Sequence, residues 1–263
     1  MAGHLYHFRV MNEKTDIKGA DPFISLRSLT AARIMLGRTG ASLPLHEMQN
    51  LKLAHARARD AIYASWDPEA FGARLGDLVP VFHLVSMAKN REQYLLQPPL
   101  GRQLSNDSRM QLRSIDASGD ICILVGDGLS PQAVDRYAKP FLDELIPMLR
   151  EKGFSITPLC TVRQARVAIA DEVGLILGAR STIMLIGERP GLSAWDSMGL
   201  YYTYDPKPGR TDAQRNCISN IRKGGLDTGD AVSKACSLIQ ESFRLGLSGV
   251  NLKDNAGVSK NIE

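Results

Sequence analysis

A chain of 263 residues, 44% of them hydrophobic, is long enough to bury a substantial core as one large domain or two smaller ones. Its formal charge of +4 comes from 32 basic and 28 acidic residues interspersed along the chain, which excludes the dense cationic stripe of a nucleic-acid binder and suits an anionic ligand or an acidic partner. Cys122, Cys160, Cys217 and Cys236 match neither a CxxC metal pattern nor a compact disulfide framework, and no stretch reaches the ~18 apolar residues of a membrane span.

Residues 1–20 lack the apolar run of a signal peptide and are expected to form a flexible N-terminal segment. Asp21-Pro22 then begins a helical start signal, with Leu26, Leu29, Ala32, Ile34 and Leu36 near helical spacing until Gly37 and Gly40. The run LHEMQNLKLAHARARDAIY, Leu45–Tyr63, predicts a second helix, so residues 21–110 are expected to be mainly helical. Pro98-Pro99 and Gly101 break regular structure, and a domain boundary is expected near residue 110.

From there short β-rich runs alternate with longer amphipathic ones, the pattern of βαβ units. Residues 121–125 predict a buried strand. A helix follows over 130–152, with Ser130 as N-cap, Pro131 at its first position, and a kink or split at Pro147. Strands at 154–159 and 182–186, a crossover helix at 167–177, a sheet extension at 198–204, an irregular stretch at 205–228 and a last helix through Leu245 complete the chain. The expected fold class is α/β, a Rossmann-like, mostly parallel sheet over 111–263 flanked by helices, with a mainly helical N-terminal region.

All five histidines precede residue 84, which excludes a Ser-His-Asp triad or a histidine-ligated metal wholly inside the later domain. Two strands end in glycine-bearing loops, Gly126-Asp127-Gly128-Leu129-Ser130 and Gly187-Glu188-Arg189-Pro190-Gly191. In a parallel sheet both face the crevice where ligands settle. The first loop is either a tight strand-to-helix turn or an anion site at a helix start. Glu188, directly after an apolar strand, either pairs with Arg189 or accepts hydrogen bonds from a ligand. Cys217 has no histidine near in sequence to support a catalytic thiolate, and the alternative is a small, buried, inert cysteine.

The ordered set LTAARIMLGRTG, VGDGLS, GARSTIMLIGERPGL and TDAQRNCISNIRKGGL resembles the small (light) subunit of ethanolamine ammonia-lyase, over about Ser25 to Val250. The resemblance implies an adenosylcobalamin-dependent lyase that converts ethanolamine to acetaldehyde and ammonia. It further implies a hetero-oligomer in which the large subunit holds the substrate and the small subunit closes over the cofactor. Carried over by motif, the cobalamin contacts would be Val167 in RVAI, Glu188 in GERPGL and Cys217 in RNCISN, with no catalytic residue and no metal ligand on this chain. The implied location is the bacterial cytoplasm, inside a protein-shelled microcompartment, with no nucleic-acid or membrane partner. Competing readings are a free-standing nucleotide-binding enzyme built on the Gly126 loop, and a noncatalytic assembly protein.

Overall fold

The computed structural model describes residues 23–30 and 32–252, so residues 1–20, the Asp21-Pro22 helix start and the end of the polar tail lie outside the described residues. The chain divides into two units, Met1–Leu53 and Ala54–Glu263. In the first, a 3-10 helix occupies only Ile24–Leu29, not the longer helix expected through Leu36. Thr30 ends it by turning its hydroxyl onto the Ala32 N–H, an alternative to helical hydrogen bonding, and Met35 and Gly37 then take positive φ. Helix α1, Leu45–Tyr63, has the expected bounds and spans the division.

The second unit continues with helix α2 (Pro68–Leu75), strand β1 (Val81–Val85), and helices α3 (Arg91–Leu96) and α4 (Asn106–Arg113). Strand β2 (Gly119–Gly126), helix α5 (Pro131–Glu151), strand β3 (Leu159–Arg163), helix α6 (Ile169–Ile176) and strand β4 (Ala179–Gly187) follow. Strands β5 (Met198–Tyr204) and β6 (Asn216–Ile221) and helix α7 (Thr228–Leu245) close it. Short polar side chains start the helices by accepting backbone N–H groups: Asp67 from Ala70, Asn90 from Gln93, Ser105 from Ser108 and Asp227 from Gly229.

The six strands form one sheet in the order β1-β3-β2-β4-β5-β6. Its first four strands are mutually parallel, while β5 and β6 pair antiparallel, so the fold is mixed α/β with a mostly parallel sheet, as expected. On β2, Ile121, Ile123 and Val125 enter one core and Cys122 and Leu124 the other; on β4, Ile183 and Leu185 alternate with Met184 and Ile186 in the same way. Burial on both faces is why these strands read as unbroken apolar runs.

Three strands depart from the sequence reading. β3 begins at Leu159, because Pro158 lacks an N–H and residues 154–158 contribute only a bridge at Ile156. β1 lies in the region read as helical, with a histidine at its centre whose Nδ1 sits 2.7 Å from the Thr161 hydroxyl. β6 was hidden in a polar stretch because it is an edge strand with exposed positions.

Helix α5 runs as one element through Pro140 and Pro147, against the expected split. Both prolines lie on the exposed face, so the carbonyls they orphan, those of Arg136 and Asp143, face water, while Phe141, Leu142, Leu145 and Leu149 pack the core. Ser130 occupies the N-cap position without capping; its hydroxyl donates to the Trp195 carbonyl instead.

A buried ion pair ties α6 to the far end of the sheet. Arg215 donates through both terminal nitrogens to Asp171, at 2.6 and 2.5 Å, and also to the Thr203 hydroxyl and the Arg210 carbonyl. Removing one partner leaves an uncompensated buried charge. Arg215→Met is therefore expected to lower unfolding free energy by about 3–5 kcal/mol in urea titrations. The double variant Asp171→Leu/Arg215→Met should lose less than that single change, and a larger loss in the double would contradict this account.

Candidate functional site

The parallel strands end on one side of the sheet, where ligands of open α/β sheets settle, and a cavity of about 470 Å³ opens there. Its wall runs from Tyr94 and the Arg166-Val167 turn after β3, across Gly128-Leu129 after β2, to Gly187–Arg189 after β4 and Tyr201 on β5. The two glycine-bearing loops anticipated from the sequence thus line the same cavity.

These loops meet backbone to backbone. The Leu129 N–H donates to the Gly187 carbonyl at 2.9 Å. A Cβ on Gly128, which has φ +57°, would lie 2.2 Å from the Gly187 oxygen, and one on Gly187 would lie 2.1 Å from the Ser130 oxygen. Glycine is required at both positions because anything larger would force the loops apart.

Asp127, buried between them, fixes the third loop. Its carboxylate accepts from the Gln164 and Ala165 N–H groups at 2.9 and 3.0 Å, and Arg91 stands 3.7 Å away. Desolvation pushes Asp127 above the usual carboxylate range, opposed by those hydrogen bonds and by Arg91. Arg91 and Arg166 flank the ring of buried Tyr94, with guanidinium carbons 4.8 and 4.3 Å from its centroid. The Tyr94 hydroxyl donates to the Ala165 carbonyl at 2.9 Å.

Glu188 is half-buried and does not pair with Arg189. One carboxylate oxygen accepts the Asn220 N–H at 3.0 Å, and the other lies against Gly199, where a Cβ would come within 2.9 Å of it. Cys217, on β6, is exposed and stands in register with Tyr201 on β5. Desolvation, with a further push from the Glu188 charge, raises the Cys217 thiol despite its hydrogen bond with Tyr201, so it stays protonated at neutral pH. Burial likewise drives the Tyr201 phenol well up.

Val167 and Glu188 therefore line one cavity, and Cys217 adjoins it through Tyr201. The arrangement offers a carboxylate acceptor, guanidinium donors and an apolar floor of Leu129, Val167 and Ile186. Among the described residues no group of three histidine, cysteine or acidic side chains could hold a metal, and no helix is long and apolar enough to cross a membrane. Sequence reasoning missed Tyr94, Arg166 and Tyr201. Tyr94 lay in a stretch read simply as helical, and only the adjacency of Arg166 to Val167 could have marked it.

Gly128→Ala and Gly153→Ala compare two left-handed glycines. Gly153, with φ +82°, has open space around its would-be Cβ, so its replacement is expected to cost about 1–2 kcal/mol, the left-handed penalty alone. Gly128→Ala adds a backbone collision and should cost at least about 1 kcal/mol more. Equal shifts in unfolding midpoint would refute the close approach of the loops.

Comparison with known proteins now bears on this geometry. Residues 20–253 match the family model "Ethanolamine ammonia-lyase light chain (EutC)". The chain is 49% identical over 245 residues to an ethanolamine ammonia-lyase small subunit of Pseudomonas putida strain GB-1, covering 90% of this chain and 89% of that one. It is 47% identical over 251 residues to the small subunit of Pseudomonas fluorescens strain Pf-5, covering 94% and 92%. With the small subunit of Pseudomonas syringae pv. tomato strain DC3000 it shares 46% over 252 residues, covering 94% and 88%. The chain belongs to the light-chain family of ethanolamine ammonia-lyase, a carbon–nitrogen lyase.

Proposed function

We propose that this chain is the small subunit of an adenosylcobalamin-dependent enzyme that converts ethanolamine to acetaldehyde and ammonia. On this reading it holds one edge of the cobalamin through Val167, Glu188 and Cys217, and the large subunit carries the substrate and the reacting groups. The observation that carries the proposal is convergence: residues far apart in sequence meet at the rim of one cavity. The donor set fits the cofactor. Glu188 uses one oxygen on Asn220 and has no hydrogen-bond partner at the other among the described residues, which suits the amide N–H groups that edge a corrin.

When bound, the cofactor supplies radical chemistry through its cobalt–carbon bond. This chain's residues bind and exclude water. Glu188 accepts an amide N–H, Val167 gives apolar contact beside α6, and the neutral Cys217 thiol packs at the edge strand without acting as a nucleophile. The size of the cavity argues the same way. At about 470 Å³ it falls low in the range for drug-sized ligands, so it takes an edge of a macrocycle and leaves the rest to a second chain.

The free-standing nucleotide-binding reading fares worse on one detail. The Gly126 loop turns its Leu129 N–H inward onto the Gly187 carbonyl, and Pro131 brings no N–H to the start of α5, so it offers no row of free donors to a phosphate.

In enzyme assembled with the large subunit, Glu188→Ala is expected to weaken adenosylcobalamin binding by about tenfold to a hundredfold, the worth of a hydrogen bond to a charged acceptor, and to alter turnover at saturating cofactor far less. A large turnover loss at unchanged cofactor affinity would overturn the assigned role. The same reading places the assembled enzyme in the bacterial cytoplasm within a microcompartment. Residues 1–20 fused to a fluorescent protein should then give punctate signal, whereas diffuse fluorescence counts against targeting by this segment.

A further inference from the structure

We propose that Arg166 binds the one anionic side group of the cofactor, the phosphodiester that joins the corrin to its nucleotide base. This inference rests on the cobalamin reading of the site given above. Arg166 is held in place before any ligand arrives. Its backbone N–H donates to the Gly101 carbonyl at 2.7 Å, and a Cβ on Gly101 would lie 2.8 Å from its Cγ, so glycine there leaves room for the side-chain stem. Its guanidinium stacks 4.3 Å from the Tyr94 centroid and donates through Nη2 to the Tyr94 carbonyl at 3.3 Å. Little side-chain freedom remains to be lost when it binds an oxyanion.

What Arg166 lacks is a counter-ion. Arg91, over the same ring, has Asp127 at 3.7 Å and donates to the Gly128 and Ile62 carbonyls. Arg166 has no carboxylate within ion-pair distance among the described residues, and its Nε is buried without a hydrogen-bond partner. It nevertheless faces the cavity, as does Arg189, which also has no ion-pair partner among the described residues. A half-buried guanidinium without an anion is an incomplete arrangement, and an oxyanion in the cavity completes it.

The chemistry of the ligand selects which anion. The amides around a corrin are neutral, and Glu188 suits their N–H groups; only the phosphodiester is a negatively charged side group. The two functions are also separated in space. Arg166 follows β3 and Glu188 follows β4, with β2 between them, which sets them about 10 Å apart at roughly 4.8 Å per strand. One side of the cavity therefore reads amides and the other reads charge.

The test compares two corrinoids on enzyme assembled with the large subunit, with affinity measured by equilibrium dialysis and the visible corrin spectrum. Adenosylcobinamide methyl phosphate carries the phosphodiester without the base, and adenosylcobinamide lacks it. Arg166→Met is expected to weaken the phosphodiester form by about tenfold to a hundredfold while leaving adenosylcobinamide nearly unchanged, and Arg166→Lys should restore part of the loss. Equal weakening of both corrinoids, or no weakening of the phosphodiester form, would overturn the assignment. Failure of the unaltered assembly to bind adenosylcobalamin in the same dialysis would instead overturn the cobalamin reading itself.

Discussion

Gly128 and Gly187 leave no space for a Cβ between the loops that follow β2 and β4, and the geometry at the strand tips follows from that contact. With the Leu129 N–H on the Gly187 carbonyl and the Ser130 hydroxyl on the Trp195 carbonyl, the loop after β4 is tied at both ends to the start of α5. Glu188, the next residue, can then lie only over β5, where Gly199 leaves room for its carboxylate. The β5–β6 register shifts between Met198 and Leu200, beside that glycine, and Asn220 takes φ +61° close to where its N–H reaches Glu188. Glycines and irregularities that would weaken an ordinary sheet here make space for one carboxylate.

Two carboxylates at the strand tips differ in what surrounds them, and so in what they do. Asp127 is wholly enclosed, and its lone pairs are engaged by backbone N–H groups and by Arg91, so its work is to hold three loops together. Glu188 lines the cavity and has one oxygen with no hydrogen-bond partner among the described residues. The arginines divide in the same way: Arg91 has Asp127 as counter-ion and donates to two carbonyls, whereas Arg166 is stacked and positioned but lacks an acid among the described residues. Each pair contains one member that builds the wall and one turned toward the cavity.

The sequence disclosed the parts of the fold that are buried symmetrically. β2 and β4 sit between two cores and read as apolar runs, α1 and α7 carry long periodic patterns, and the glycine-bearing loops announce themselves at strand ends. It concealed the edges. β1 and β6 have one neighbour each, so their compositions are mixed, and neither His83 nor the polar NCISNI run signals a strand. The prolines of α5 misled for a related reason, since their effect depends on which face of the helix they occupy, and that is settled by tertiary packing. Of the residues carried over by motif, Val167 and Glu188 fall on the cavity wall and Cys217 lies beside Tyr201. Tyr94 and Arg166 escaped because stacking between distant segments leaves no mark on local pattern.

If the reaction is the radical elimination proposed above, it must be kept from water, and a cavity formed by one chain's loops at the strand ends cannot do that unaided. The chemistry available on this chain points the same way. Cys217, Tyr201 and Tyr94, which carry acidic protons at or beside the cavity, are all pushed away from ionisation by burial, and all the histidines precede residue 84. What remains facing the cavity is a hydrogen-bond acceptor, positioned cations and apolar surface, a set suited to gripping a large amphipathic ligand and poorly suited to moving protons at neutral pH. If a corrin edge occupies this cavity, its reactive face is left for a second polypeptide to cover. Binding and bond cleavage are then assigned to different subunits by the kinds of side chain each can bring to them.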